Sequence, residues 1–313
     1  MSAAAASPFR LAPFFSPRIW GQTDWSHWYA GKTFAEPVGE AWLTGEDCVI
    51  ETGPWAGGRF ADVVKAHPAE ILGDDAELGE FPLLLKLLAP KEKLSVQVHP
   101  DDAFAQQAGY PRGKTECWYV LEAEPGASVA LGLKEGSGPA EIRKAIADQT
   151  LEERMVWLPV TPGEMIFVDA GTVHAIGPGM TLLETQQTCD ITYRLYDYGR
   201  PRELHVEDAL RVMREKTRAG KVAPVTVDGF TRLIKEKYFT VDRFELTAGH
   251  THAFAAMAVP QILVVLTGDA VMECGGETLA LERAKATVIP ANAAAAVVHS
   301  APGCTIVRAF PGK

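Results

Sequence analysis

The sequence predicts a mainly β chain built from two sandwich or barrel domains. Short β-branched or aromatic runs recur between Gly, Pro and Asn turns, and helical patterns are few. The strands do not alternate with helices, which excludes a parallel βαβ layout and favours antiparallel sandwiches or barrels. The 313 residues, 47% of them hydrophobic, suffice for two cores at roughly 150 residues per domain.

A first series of strands is expected at Leu83–Leu88, Leu94–Val98, Cys117–Leu121, Ser128–Leu133, Met165–Val168 and Thr192–Tyr196. A second follows at Phe239–Leu246, Ile262–Leu266, Ala270–Cys274, Thr287–Pro290 and Thr305–Ala309. Helices are expected at Asp101–Ala108, Pro139–Ala147 and Val206–Glu215. Pro100 with Asp101 and Asp102 makes a helix start, Gly109 a stop, and Pro139 suits a first helical turn. Between the two series, Thr217–Asp228 carries a basic cluster and then Pro224, and it reads as a connection. The boundary falls near residue 230, dividing the chain into 1–229 and 230–313.

Thirty Lys and Arg against forty Asp and Glu give a formal charge of −10. Such an acidic chain is a poor fit to nucleic acid or an anionic membrane, though a few local cations still suit a phosphorylated small molecule. The five cysteines are odd in number, far apart and never in CxxC spacing, which argues for a reducing compartment and against a thiolate zinc site. The longest apolar stretch, Leu83 to Ala89, is short and carries Lys86, so no membrane span is expected. The opening MSAAAASPFRLAPFF lacks the layout of an export signal. A cytoplasmic protein is the expectation.

Four segments carry candidate chemistry. In Leu94-Ser95-Val96-Gln97-Val98-His99-Pro100, alternation puts Ser95, Gln97 and His99 on one strand face and Val96 and Val98 on the other. A face of Ser, Gln and His holds a core badly, so it lines a polar cavity or lies exposed. In Lys114-Thr115-Glu116-Cys117-Trp118, charges run directly into an apolar strand. From Gly163 through Asp169 and Gly171 to His174, a strand enters a tight turn that returns with an imidazole. In Asp190-Ile-Thr-Tyr-Arg194-Leu-Tyr, alternation separates Thr192 and Arg194 from Ile191, Tyr193 and Leu195. His99, His174, Glu116 and Gln97 together offer two imidazoles, a carboxylate and an amide oxygen. Zinc accepts such donors, and non-haem iron(II) takes two His with a carboxylate, so ligand type leaves the metal open.

The order Leu-Ser-Val-Gln97-Val-His99-Pro, Gly-Lys114-Thr-Glu116, Asp-Ala-Gly-Thr-Val-His174, Glu184 and Tyr-Arg194 closely resembles the type I mannose-6-phosphate isomerases, above all their short bacterial form. Gly163-x5-Asp169-x-Gly171-x2-His174 also resembles the second cupin motif. Further matches are Pro17-Arg-Ile-Trp20-Gly21 and Gly39-Glu40-Ala41-Trp42, and the similarity runs from about Pro17 to Pro201, then more loosely to the end. The resemblance implies two cupin (jelly-roll) barrels with a few short helices, one zinc ion per chain, and a sugar phosphate as substrate. Gln97, His99, Glu116 and His174 fall on the family's zinc ligands and Arg194 on its active-site arginine. Ser95, Lys114 and Glu184 match pocket positions, and Lys86 the lysine in the strand before the Gln-x-His motif. The longer members carry a helical insertion for which this chain has no room.

The implied reaction moves a proton between C1 and C2 through an enediol. A metal acting as a Lewis acid stabilises the developing oxyanion, and the Arg194 fork adds a fixed cation. Glu184 and Lys86 are both candidates for the general base. Lys114 with Ser95 is the expected phosphate contact. Two alternatives stand beside this reading: an iron-dependent cupin oxygenase and a non-catalytic sugar-binding bicupin. Lys114, Glu184 and Arg194 argue against the second, since an inert barrel has no use for charges aimed at a metal. In the C-terminal half, His250-Thr-His252, Gln261 and His299 resemble a degraded metal motif with Gln261 in the carboxylate position. That half is expected to be a packing barrel without a complete metal site. His27, His67 and His205 are read as ordinary surface or core histidines.

Overall fold

Residues 7–312 are described by a computed structural model. The chain forms four antiparallel sheets of eight, seven, five and four strands, with a few short helices at the edges. The seven-stranded and five-stranded sheets enclose one core, formed by residues such as Trp118, Val120, Ile166 and Leu182 from the first and Val129, Leu131 and Ile176 from the second. The eight- and four-stranded sheets enclose another, around Phe244, Leu263, Ile306, Met272 and Val298. The two largest sheets then pack back to back through Leu83, Leu85, Leu87, Tyr119 and Leu183 against Val241, Ile262, Val264 and Val307. The result is mainly β, as the strand-rich pattern predicts.

Burial on both faces explains the unbroken leucine run of Leu83–Leu88. Leu83, Leu85 and Leu87 face the layer between the sandwiches, whereas Leu88 enters the first sandwich's own core. Lys86 shares the face of Leu88, so alternation alone carries a buried cation to the inside. In Glu116–Ala123 and Met180–Gln187 the same rule puts Glu116, Trp118 and Glu184 inward while Cys117, Tyr119 and Leu183 face the other way.

Five expected strands, Leu83–Leu88, Ser128–Leu133, Met165–Val168, Phe239–Leu246 and Ala270–Cys274, have the expected limits. The helix Asp102–Gln107 is capped by Asp101, whose carboxylate accepts from Phe104 N at 3.0 Å. Pro139–Ala147 is as expected. Val206–Val212 stops three residues before the expected Glu215, because Met213 turns extended and Arg214 N donates to Gly171 O at 2.9 Å.

The stretch 217–228 is more than a connection. Gly220–Val222 pairs with Met165–Val168 in the first sandwich, and Val225–Val227 pairs with Phe230–Lys235 in the second. Pro224 and two short polar strands hid this pairing from the pattern. At the other end, Phe9–Ala12 pairs with Ala286–Ile289 in the eight-stranded sheet, so the chain begins on the sheet it later completes. Of the opening fifteen residues read for an export signal, residues 1–6 lie outside the described residues.

The early strands Phe14–Asp24 and Thr33–Trp42 went unpredicted because Pro17, Gly21 and Gly39 interrupt their alternation and the register shifts repeatedly. The glycines are required by close approach. A Cβ on Gly21 would lie 2.2 Å from the Val38 carbonyl carbon, and one on Gly39 would lie 2.4 Å from the Trp20 ring. Among the described residues no helix is long and apolar enough to cross a membrane.

Candidate metal centre and active site

Two cross-strand rows bring the candidate residues together inside the first sandwich. On the seven-stranded sheet, Glu184 lies between Lys86 and Trp118, and Gln186 opposes Glu116. On the five-stranded sheet, Gln97 lies between His174 and Arg194. Val96, Val98 and Leu195 turn the other way, into a core that includes Ile142, Ala145 and Ala209 of the covering helices. The faces assigned from alternation are those observed.

His99, Glu116 and His174 form a buried cluster whose ligand atoms lie within 4.8 Å of one another. Glu116 Oε1 is 3.3 Å from His174 Nε2 and 3.8 Å from His99 Nε2. The outer ring nitrogens are fixed by backbone carbonyls. His99 Nδ1 donates to Ile191 O at 2.7 Å and His174 Nδ1 to Thr172 O at 2.9 Å. With those protons outward, both Nε2 atoms turn bare lone pairs toward a carboxylate. The Gly171 turn returning His174 is tied to the same place, since Gly171 N donates to His99 O at 2.9 Å.

Burial, with the Lys114 charge assisting, holds the pKa of His99 well below its usual value. Burial likewise pulls His174 down to about 4. Both imidazoles are therefore neutral, the form that binds metal. Burial raises the Glu116 pKa against the pull of Lys114, whose ammonium lies 3.1 Å from Glu116 Oε2. His99 Nε2 is buried with no hydrogen-bond partner among the described residues. Two imidazole nitrogens and a carboxylate oxygen converging, with one of those nitrogens unpartnered, fit a divalent cation. Gln97 presents its amide nitrogen to His174 Nε2 at 3.3 Å, while its Oε1 accepts from Ser95 Oγ at 3.1 Å. A ligand role takes the oxygen, which a half-turn of the amide supplies.

Beside the cluster lies a cavity of about 450 Å³, lined among others by Lys86, Ser95, Lys114, Glu184, Asp190 and Arg194. Lys86 Nζ is 3.2 Å from Asp190 Oδ1 and 3.7 Å from Glu184 Oε1, and it sits over the Trp42 ring. Burial opposes the Lys86 charge, but Asp190 and Glu40 outweigh it and raise the pKa. Glu184 accepts from Trp118 Nε1 at 3.1 Å, and burial, assisted by the Glu116 charge, pushes its pKa up to about 7. Arg194 is half-buried, and its Nη1 donates to Glu203 O at 2.8 Å. His205 brackets it: His205 N donates to Arg194 O at 2.7 Å, and Arg194 N donates to His205 Nδ1 at 3.3 Å.

All nine predicted site residues thus meet in one region. Sequence reasoning gave no role to Asp190 and Arg202, which line the cavity, or to Trp42 beneath Lys86, and it read the bracketing His205 as an ordinary histidine. Asp190 had a visible signal, a carboxylate four residues before Arg194 at the mouth of the same strand. His205 had none.

In the second sandwich, His252 packs against Phe244 and Phe254. Gln261 donates to Ala255 O at 3.0 Å and accepts from Arg308, which also reaches Asp242 at 2.7 Å. His250 and His299 are exposed. These groups do not converge as the first sandwich's cluster does.

A double-sandwich β chain with a buried His-Glu-His cluster beside a charged cavity defines an enzyme with a candidate metal centre. Residues 9–132 match the family of the phosphomannose isomerase type I catalytic domain. The chain belongs to the type I mannose-6-phosphate isomerase family. It is 32% identical over 299 residues to a mannose-6-phosphate isomerase of Streptococcus mutans, covering 91% of this chain and 93% of that one. It is 33% identical over 256 residues to the probable mannose-6-phosphate isomerase GmuF of Bacillus subtilis, covering 77% and 80% of the two chains. Among solved structures, the mannose 6-phosphate isomerase from Bacillus subtilis superposes with a TM-score of 0.86 at 28% identity, covering 97% of this chain and 99% of that one. This family settles the class in favour of the isomerase over an oxygenase or a binding module.

Proposed function

We propose that the chain interconverts mannose 6-phosphate and fructose 6-phosphate through an enediol, with one zinc ion held by His99, Glu116, His174 and Gln97. The observation that carries this reading is the convergence of two neutral imidazoles and a carboxylate in one buried cluster, with His99 Nε2 left without a hydrogen-bond partner among the described residues. Bound there, zinc supplies a Lewis acid for the negative charge that develops on the sugar oxygens.

The chain's own residues divide the remaining work. Glu184, with its pKa near neutrality, is the base that takes the proton from carbon and returns it to the neighbouring carbon. Lys86 is held charged by Asp190, so it acts as a cation and a donor rather than as the base. Arg194 lines the cavity, and its planar fork is the group to hold two oxygens of the enediolate. Lys114 with Ser95 contacts the phosphate, and the same cavity wall carries Arg18 and Arg202, paired to Glu40 and Asp197. The second sandwich, formed mainly by 230–313 and completed by earlier strands such as Phe9–Ala12, acts as a packing partner to the catalytic sandwich.

Isomerisation in D2O tests the proton-transfer step. Solvent deuterium in the isomerised product supports it. Label transfer from C2 to C1 without solvent deuterium, at a rate undiminished in Glu184→Gln, contradicts it.

A further inference from the structure

One turn of the second sandwich is hydrogen-bonded to the loop that carries the candidate metal centre. Tyr238 lies between the strands Phe230–Lys235 and Phe239–Leu246, and its backbone is held by Gly312 N donating to Tyr238 O at 3.0 Å. Its hydroxyl donates to Asp102 Oδ2 at 2.7 Å, across 136 residues of sequence. Asp102 Oδ1 accepts twice more, from Gly113 N and from Gln187 Nε2, each at 2.9 Å. Gln187 Oε1 in turn accepts from Thr115 N at 3.0 Å, and Gln187 N donates to Thr115 O at 3.1 Å. Thr115 stands between Lys114 and Glu116, and Lys114 N is itself tied to Pro100 O at 3.0 Å, one residue beyond His99.

Every link in this chain of bonds is directional and ends on backbone beside the cluster. Gly113 is pressed against the helix start, where a Cβ would lie 2.5 Å from Pro100 O, so this loop has no slack to absorb a displacement. Gln187 and Thr115 are both buried.

We infer that Tyr238 is a positioning residue for the metal centre, acting through Asp102 and Gln187 on the Lys114-Thr115-Glu116 backbone. The inference rests on Glu116 being a metal ligand. It gives the second sandwich a task beyond packing: fixing where the Glu116 carboxylate and the Lys114 ammonium stand. Partners one step outside a metal's ligands change affinity by about 10–100-fold when removed, and this link acts one step further out.

The test is Tyr238→Phe in the full chain, which keeps the ring and removes the hydroxyl. Zinc dissociation by chelator competition, kcat and KM on mannose 6-phosphate, and melting of the metal-free protein are compared with the parent. The expected result is a zinc dissociation constant raised about fivefold and kcat lowered about fivefold, with KM within about twofold. Arg218→Gln is the control, because Arg218 bridges to Glu236 of the second sandwich at 3.0 Å without touching Asp102. It should lower the melting temperature and leave zinc dissociation and kcat unchanged. Gln187→Met combined with Tyr238→Phe should cost less than the sum of the two, since they share the Asp102–Gln187 link while the Asp102–Gly113 bond leaves a second. Zinc dissociation and kcat unchanged in Tyr238→Phe, or two effects that add in full, overturn the relay. Failure of the parent chain to take up zinc overturns instead the metal reading beneath it.

Discussion

Glu184 and Lys86 face each other across one strand pair, with Oε1 and Nζ 3.7 Å apart and both side chains sealed from solvent. The partners are unequal. Lys86 has Asp190 as a second carboxylate and the Trp42 ring beneath it, which together sustain its charge. Glu184 answers to burial and to the Glu116 charge, and both favour its protonated form. A carboxyl poised near neutrality beside a fixed cation can accept and return a proton at small cost.

If Glu184 is the base, it must be ionised to work. Its carboxyl is pushed up to about 7, so it is protonated below that pH and the wild-type kcat should fall roughly tenfold per unit there. Glu184→Gln should lower kcat by roughly 10²–10⁴ and leave a residue of activity without this inflection. A kcat profile from pH 5 to 9 on both proteins checks it. An unchanged inflection in Glu184→Gln assigns the titration to another group.

His99→Ala and His174→Ala should each lose zinc, because three ligands hold far less well than four. In the second sandwich, His250→Ala with His252→Ala should leave zinc content and turnover unchanged. Metal analysis of the purified variants distinguishes the two centres. Full zinc occupancy in the His99/His174 double variant refutes the assignment, and loss from the His250/His252 variant reveals a second site.

Arg194→Lys keeps the charge but loses the planar fork. Losing a donor aimed at an oxyanion typically costs ~3 kcal/mol, about a hundredfold in rate. The variant should therefore retain zinc and melting temperature while kcat drops by roughly that factor. Unfolding or zinc loss would mark Arg194 as structural, a role that the bond from its Nη1 to Glu203 O would suit. Turnover within a few-fold of the parent would remove it from the chemistry.

Leu85 is fully buried in the layer where the two largest sheets meet. Leu85→Ala should destabilise the chain by ~2–5 kcal/mol through lost transfer energy and the cavity left behind. A urea unfolding curve should show a lower midpoint, while KM at permissive temperature stays unchanged.

Part of the candidate site was legible because strand alternation is local, while Lys86 and Glu184 were named only through the family resemblance. Ser95, Gln97 and His99 on one face, and Thr192 with Arg194 on another, follow from a period of two, and the fold brings Ser95, Gln97, Thr192 and Arg194 to one cavity with His99 in the cluster beside it. The leucine run of Leu83–Leu88 was also legible as a strand, but nothing in it showed that both faces would be buried between sheets. The early strand pair Phe14–Asp24 and Thr33–Trp42 was not legible, since Pro17 and two glycines break the alternation where backbones touch. Partners distant in sequence were hidden altogether. The return of Phe9–Ala12 to the eight-stranded sheet and the bond from Tyr238 to Asp102 depend on how two sandwiches meet, which no local pattern encodes.

The most direct measurement is turnover of mannose 6-phosphate to fructose 6-phosphate by one preparation, as purified, after chelation and after zinc is restored, with metal per chain determined at each stage. The His99-Glu116-His174 centre predicts about one zinc per chain at the start, loss of turnover with loss of metal, and recovery of both together. Undiminished turnover by protein shown to be free of metal would contradict it.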